Sequence, residues 1–328
     1  MMKKKITIYL GFIISAILII IFVKVIDFRT VLHILASFNW RLIIVLLIIY
    51  WLGMIFRTMR WFFLISQSKS INFSSVLSAL ILGFMINNLL PAKLGELARA
   101  EILARGKKLS RSFLLGTILA ERLLDVMIVV IFLTISILFS KSLFHVISLN
   151  YRLAAIIAII FVSLFLLLNK KIRKKIIKML PKKWQRFFSL ASDKFATSFL
   201  FLKDRELFPK ILFYTVLVWL ITFLSYYTII RGLNVNLPLY AYLFVISVSA
   251  IGMVIPSSPA NMGVYHAIAT GAIMLFMVPK DTAFAIAVIA NAFDVIPSII
   301  FGTIILLKKH ISLITLYRKE ARQVSDLQ

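Results

Sequence analysis

Long apolar runs separated by short basic stretches organise this 328-residue chain. Residues 6–26 form the first run, directly after Met-Met-Lys-Lys-Lys. At about 20 residues it is long enough to cross a bilayer. A secretory signal would have a shorter core and a small-residue cleavage site, so the run reads as a retained span. Lys3, Lys4 and Lys5 then place the N-terminus in the cytoplasm. Residues 42–56 return inward and lead to Arg57, Arg60 and Lys69. The stretch Arg57-Thr-Met-Arg60-Trp61 suits a membrane surface, with Trp61 at headgroup level and the arginines meeting phosphates.

The pattern then departs from simple crossings. Residues 73–90 are apolar but end in Asn87-Asn88-Leu-Leu-Pro91, and the next 20 residues carry eight charges between Lys93 and Arg111. A full crossing would leave that basic stretch outside, against the positive-inside bias. Residues 93–111 hold nothing long or apolar enough to cross back. A hairpin that enters from the cytoplasm, breaks at residues 87–91 and returns to the same side resolves the conflict. Such broken backbone is tolerated at depth only inside protein or beside a wet cavity.

Residues 112–140 then run outward and 151–168 inward. The block at 169–210 mixes lysines with Ile176, Leu180, Trp184 and Phe187, the composition of an amphipathic helix lying on the membrane. Residues 211–230 go outward. Residues 240–255 run in and break at Pro256-Ser-Ser-Pro259-Ala-Asn-Met-Gly263, and residues 264–278 return. A last span at 282–307 leads to a basic tail, 308–328. The expected fold is an all-α polytopic integral membrane protein: one membrane domain with six full spans, two re-entrant hairpins and both termini cytoplasmic.

Composition agrees. Hydrophobic residues make up 62% of the chain and charged residues only 15%, against roughly 45–50% and about 25% in soluble domains. Zero cysteines exclude disulfides, Cys-ligated zinc, iron–sulfur clusters and thiol chemistry. Four scattered histidines, His33, His145, His266 and His310, argue against a metal centre, and no metal or other cofactor is expected. The net charge of +26 would suggest nucleic acid in a soluble protein. Here the basic residues concentrate at 170–210, between hydrophobic runs and without a recognition motif. They read as cytoplasmic loops in contact with anionic lipid, not as a nucleic-acid surface. Walker A, G-x-S-x-G, H-E-x-x-H and Rossmann glycine patterns are all missing, so no enzyme activity is expected and transport would run on gradients or downhill.

The two broken regions resemble each other. Pro91-Ala-Lys-Leu-Gly95 aligns with Pro259-Ala-Asn-Met-Gly263. Asp125 follows the first proline by 34 residues and Asp294 follows the second by 35. Gly83 and Gly252 precede them by eight and seven. Proline removes a donor and glycine permits close approach, so each set marks a helix that stops and restarts. A duplication over about 71–140 and 240–307, with copies entering from opposite faces, is the inverted-repeat plan that places a binding site near the midplane. Helix starts after Pro91 and Pro259 would aim N–H groups at an anion there.

Candidate substrate-binding residues around the breaks are Lys93, Glu96, Arg99, Glu121, Arg122, Asp125, Asn261, His266 and Asp294; the break residues themselves are Asn88, Pro91, Gly95, Pro256, Pro259 and Gly263. Ions at that depth face a cavity or one another. Glu121 and Asp125 share a helix face, and Arg122 can reach Asp125 at i+3. The same charges equally fit helix-to-helix ion pairs that only fix the fold, and His266 equally fits a packing residue.

At these residues the chain resembles the lysylphosphatidylglycerol synthase transmembrane-region family. The resemblance rests on Arg57-x-x-Arg60-Trp61, Asn88-Leu-Leu-Pro91-Ala-Lys-Leu-Gly95-Glu96-x-x-Arg99, Glu121-Arg122-x-x-Asp125 and Pro256-x-x-Pro259-x-x-x-Gly263, and covers about residues 6–309. It implies movement of a polar-headed lipid (aminoacyl-, glycosyl- or prenyl-phosphate-linked) between leaflets of the cell membrane, with Glu96, Arg99, Glu121, Arg122 and Asp125 in the headgroup cavity. Many relatives read Pro-Gly-Gly-x-Gly-x-x-Glu at the second hairpin, where this chain has Pro259-Ala-Asn-Met-Gly263-Val-Tyr-His266, which puts substrate and coupling in question. About 20 residues follow the last span, so lysyl transfer by an appended synthase domain is not expected. Two other readings stand beside transport. One is a membrane-embedded enzyme on a lipid phosphate, with Glu121 and Asp125 as acid and base. The other is a non-catalytic partner of a separate lipid synthase or glycosyltransferase, docked through residues 169–210.

Overall fold

A computed structural model describes residues 26–66, 71–90, 93–107, 109–140, 197–253 and 258–309. The expected spans at 6–26 (but for its last residue) and 151–168, most of the basic segment at 169–210, the tail beyond 309, and Pro91 and Pro256 lie outside the described residues. Every regular element among the described residues is helical.

Helix α1, Phe28–Ser37, is short and amphipathic. Asp27 caps it, its carboxylate accepting from the backbone N–H of Arg29 (3.0 Å) and Thr30 (3.4 Å). Val31 and Phe38 bury its apolar side against the bundle while Leu32 stays exposed. Helix α2, Leu42–Ser66, follows. Four further helices complete a first group and a second: α3 (Phe73–Leu89), α4 (Leu94–Lys107) and α5 (Arg111–Phe139) close the first, and α6 (Leu207–Gly232) opens the second. The chain then runs through α7 (Leu239–Gly252), a 3-10 turn at Pro259–Asn261, α8 (Val264–Met274) and α9 (Lys280–Lys309). By length and apolar composition α2, α5, α6 and α9 can each cross a membrane, and α3 and α7 are shorter apolar helices. Helices apolar all round belong inside a bundle or facing lipid. The outward row Ile44, Leu47, Ile48 and Leu52 on α2 is the lipid-facing kind.

Lengths and packing partners follow one order twice. Helices α2 to α5 have 25, 17, 14 and 29 residues, and α6 to α9 have 26, 14, 11 and 30. This likeness in helix order takes in α2 and α6, each a helix before the segments matched in sequence. The first members, α2 and α6, pack on each other antiparallel. Asn39, just before α2, donates to the Gly232 carbonyl at the end of α6 (3.1 Å), Gly53 lies against Ile221, and the Phe63 and Tyr214 rings stack at 5.5 Å. The last members exchange partners. Helix α9 packs on α3, where Asn88 donates to Ser298 Oγ (2.7 Å), and α5 packs on α7, where Ser136 donates to the Tyr240 carbonyl (2.8 Å) and Ser247 to that of Val129 (3.3 Å). Each half thus buries its short apolar helix against the long closing helix of the other.

Helices α3 and α4 form a hairpin closed by glycine. A Cβ on Gly95 would sit 1.9 Å from the Gly83 carbonyl oxygen, so only hydrogen permits this approach. Helices α7 and α8 make the second hairpin. Its turn holds Ala260 (φ 55°), Asn261 (φ 53°) and Gly263 (φ 85°), and the two non-glycine residues occupy the left-handed region at a cost of order 1–3 kcal/mol each.

One boundary differs materially from the sequence reading. Helix α2 does not stop at Phe56. It continues through Arg57, Arg60 and Trp61 to Ser66, because the apolar run resumes after Arg60 and Arg60 finds two carboxylate partners inside the bundle.

Candidate functional site

The candidate charges divide into two sites with different chemistry. The first is a closed ionic network between α2, α4 and α5. Glu121 of α5 accepts from Arg60 Nε (3.2 Å) and from Arg99 Nη2 (2.8 Å). Asp125, one turn further along α5, accepts from Arg60 Nη1 (2.6 Å) and from Trp219 Nε1 of α6 (3.1 Å). Arg122 binds Glu96 of α4 at 2.5 Å and reaches Asp125 at 3.4 Å. Three guanidinium groups therefore face three carboxylates.

The inner members are sealed. Side-chain exposure is 5% for Arg60, 7% for Arg99 and 2% for Glu121. Trp61 covers Arg99, its ring 4.7 Å from the guanidinium, and donates its own N–H to Thr117 Oγ1 (3.0 Å). Arg99 Nε is left without a hydrogen-bond partner. Arg122, 47% exposed, is the open end, and Lys93 at the first break (φ 52°) lies within electrostatic reach of it. Below the hairpin, Glu101 joins Arg105 (2.5 Å) and Arg111, tying α4 to the start of α5.

These positions correct part of the sequence reading. Arg60 and Trp61 were expected at a headgroup surface. Both are buried, because Arg60 satisfies two carboxylates of α5 and Trp61 fills the space beneath Arg99. Glu96, Arg99, Glu121, Arg122 and Asp125 do come together as expected, but as partners of one another.

The second site is a cavity between α2, α6 and α9. Tyr50 and Arg57 line it from α2, Thr222, Ser225 and Tyr226 from α6, and Phe293 and Asp294 from α9. Its empty space is about 420 Å³ including the open mouth, and the inner part has room for only a few waters in all. Asp294 is exposed to this space and makes no ion pair with Arg57, although each lies within the other's field. The Arg57 guanidinium rests over the Phe84 ring at 5.7 Å. Tyr50, 4% exposed, has a hydroxyl with no partner. Tyr226 shares a 2.7 Å hydrogen bond with Tyr265 of α8.

Helix α9 holds both breaks beside this cavity. Its Ser298 accepts from Asn88 at the end of α3, and its Asn291 donates to the Ala260 carbonyl in the 3-10 turn (3.0 Å). Seven residues separate the two anchors, roughly 10 Å along a helix. Helix α3 also touches the Pro259–Asn261 turn directly. At the first break Asn87 Oδ1 accepts from the Gly95 N–H (2.7 Å), satisfying one free donor of α4. Asn261 lies in the turn of the second break. His266 stands outside the cavity lining, packed between the rings of Tyr265 (5.7 Å) and Phe284 (5.8 Å). Among the described residues no group of His and carboxylate side chains has the arrangement to hold a metal ion.

Sequence reasoning missed Tyr50, Trp219 and Tyr226, and misplaced Arg57. The readable signal was the resumption of apolar sequence from Trp61 to Ile65, which puts Arg57 and Arg60 inside a span, where ions mark function.

The chain is similar in sequence to known membrane proteins. Residues 8–302 match the family described as lysylphosphatidylglycerol synthase TM region. UPF0104 membrane protein MJ1078 of Methanocaldococcus jannaschii is 26% identical, over 67% of this chain and 92% of its own. MJ1595 of the same organism is 24% identical over 94% of this chain and 96% of its own. PH1989 of Pyrococcus horikoshii is 23% identical over 93% and 97%. No solved structure matches. The chain is a multi-pass α-helical membrane protein belonging to the lysylphosphatidylglycerol synthase transmembrane-region family.

Proposed function

We propose that the protein moves a polar-headed lipid between the leaflets of the cell membrane. The observation that carries this reading is the meeting of both broken hairpins on α9, next to a cavity that holds an unpaired Arg57 and Asp294. Charge without a partner in an apolar bundle costs about 2.5–3.5 kcal/mol per ion on insertion scales, so its retention argues for a ligand. The antiparallel α2 and α6, and the exchange of α5 and α9 between halves, support an inverted repeat whose hairpins enter from opposite faces. With the basic loops cytoplasmic, the first hairpin opens inward and the second outward, and both termini lie in the cytoplasm.

In this reading the headgroup occupies the cavity while acyl chains stay in the bilayer. The ionic network is the rigid wall against which α6 and α9 move, and the cytoplasmic basic segment rests on anionic lipid. An embedded enzyme using Glu121 and Asp125 is disfavoured, because arginines already saturate both carboxylates.

The test is leaflet exchange of acyl-labelled phospholipids in vesicles containing the full chain, read by quenching of outer-leaflet label. The reading predicts faster exchange than in empty vesicles, lost in Arg57→Gln and Asp294→Asn. Equal rates with and without protein for aminoacyl, glycosyl and anionic phospholipids alike would remove it.

A further inference from the structure

Asp125 and Asp294 hold matching places in the two halves and have opposite surroundings. Asp125 is surrounded by Arg60, Arg122 and the Trp219 N–H. Asp294 has no hydrogen bond or ion pair to any described residue and opens on the cavity. The groups that face it are few. Helix α2 presents Arg57 and Tyr50, α6 presents Tyr226, and α8 presents Tyr265 through its bond to Tyr226. On its own helix Asn291 is occupied by the Ala260 carbonyl. From α3 the Phe84 ring lies beneath Arg57, and that helix carries no charged residue. Arg57 is thus the one cation that faces Asp294 among the described residues. Tyr50 lines the same wall, and its buried hydroxyl, without a hydrogen-bond partner, is a spare donor beside the cavity.

This arrangement links anion binding to protonation. While the cavity is empty, Arg57 and Asp294 balance each other across it. A phosphate seated on Arg57, with the Tyr50 hydroxyl as second donor, takes up that positive charge and brings its own negative charge beside the carboxylate. Two anions held side by side in one small site do not both stay ionised, and the carboxylate gives way by taking a proton from bulk water. No other bond is made or broken, and release of the phosphate returns the proton.

We infer that Arg57 anchors the lipid phosphate and that Asp294 takes up one proton when that phosphate binds, so that lipid and proton cross together. The crossing rests on the transport reading; the coupled binding does not.

The binding step is measured on the detergent-solubilised full chain with dihexanoyl-phosphatidylglycerol as probe, by titration calorimetry at pH 7 in buffers of different ionisation enthalpy. The dependence of apparent enthalpy on buffer gives the protons exchanged. Wild type is expected to take up about one proton per lipid, and its affinity to fall by up to about tenfold for each unit that pH rises once Asp294 must be protonated to bind. Asp294→Asn should bind with no proton uptake and lose that pH dependence. Asp294→Glu should keep both, and Arg57→Gln should bind at least about tenfold more weakly. Saturable binding in wild type without proton uptake and without pH dependence would overturn the inference. So would no saturable binding, uptake unchanged in Asp294→Asn, or full affinity in Arg57→Gln. Free glycerophosphoglycerol serves as the tail-less control; binding as tight as the lipid's would keep the coupling but reject a lipid as its source. Proton-linked binding with no exchange between leaflets would likewise remove the transport reading and leave the coupling. Exchange without proton uptake would do the reverse.

Discussion

Glu121 and Arg99 are joined at 2.8 Å across α4 and α5, and the same carboxylate takes Arg60 of α2 at 3.2 Å. One acidic side chain, almost fully buried, thus holds the first hairpin to two long helices. Removing one member of a buried ion pair leaves the other charge uncompensated, which typically costs about 3–5 kcal/mol. Glu121→Gln strands the Arg99 guanidinium and leaves Arg60 with Asp125 alone, so a loss in that range and a clearly lower unfolding temperature in detergent are expected. An unchanged unfolding temperature would mean the network does not hold the bundle.

The close approach of α3 and α4 depends on Gly95. Gly95→Ala forces a methyl group onto the Gly83 carbonyl, so the hairpin must open and the protein should fold poorly or not at all. Gly271→Ala is the matched control on α8, where nothing lies within 4 Å of the added atom. There a gain of roughly 0.5–1 kcal/mol is expected from helix propensity. Comparable stability of the two variants in a thermal unfolding assay would contradict the packing described.

Asn88 and Asn291 tether the two breaks to α9. Replacing either by Leu removes one hydrogen bond, worth about 1 kcal/mol, or up to about 3 kcal/mol where a buried group is stranded. The folded protein should survive this, while leaflet exchange in vesicles falls severalfold because the breaks no longer share a support. Exchange at the wild-type rate in both variants would show that the tethers serve packing alone.

Outside the spanning helices, the Asp27 carboxylate is held below the usual carboxylate range by its bonds to the Thr30 hydroxyl and backbone and the Arg29 N–H. A carboxylate lowered in the folded state contributes stability that is complete above its unfolded value, about 3.9. That contribution disappears as pH falls through the lower folded value. Backbone amides of α1 should therefore exchange faster with deuterium as pH is lowered below about 4, after correction for intrinsic rates, and Asp27→Ala should show the faster exchange at neutral pH too. Protection of α1 that is identical in Asp27→Ala would refute the capping role.

The hydropathy of the chain made most of its architecture readable. Runs of apolar residues located α3, α5, α6 and α9 to within a few residues, since burial in lipid or bundle demands them regardless of partners. The break motifs and the spacing to Asp125 and Asp294 were readable for the same local reason, proline and glycine limiting the backbone. The partners were not readable. Arg60 looks like a surface residue until Glu121 and Asp125, 61 and 65 positions away, are brought beside it. Asp125 and Asp294 look alike in sequence, yet one is saturated and the other bare. That difference comes from what the neighbouring helices supply, Arg60 of α2 and Trp219 of α6 for Asp125 and no bonded partner among the described residues for Asp294, and a single sequence carries no direct record of it.

Two hairpins entering the membrane from opposite sides are the core of the proposed transporter, and the absence of cysteine from the chain makes their orientation directly measurable. Four single-cysteine variants place a thiol before and after each hairpin: Asn72→Cys and Ser110→Cys around α3–α4, Asn236→Cys and Met277→Cys around α7–α8. In sealed cells, with a maleimide that does not cross the membrane, Asn236→Cys and Met277→Cys should label from outside. Asn72→Cys and Ser110→Cys should label only after permeabilisation. Labelling that puts Asn72→Cys and Ser110→Cys on different sides, or all four on one side, would contradict the account.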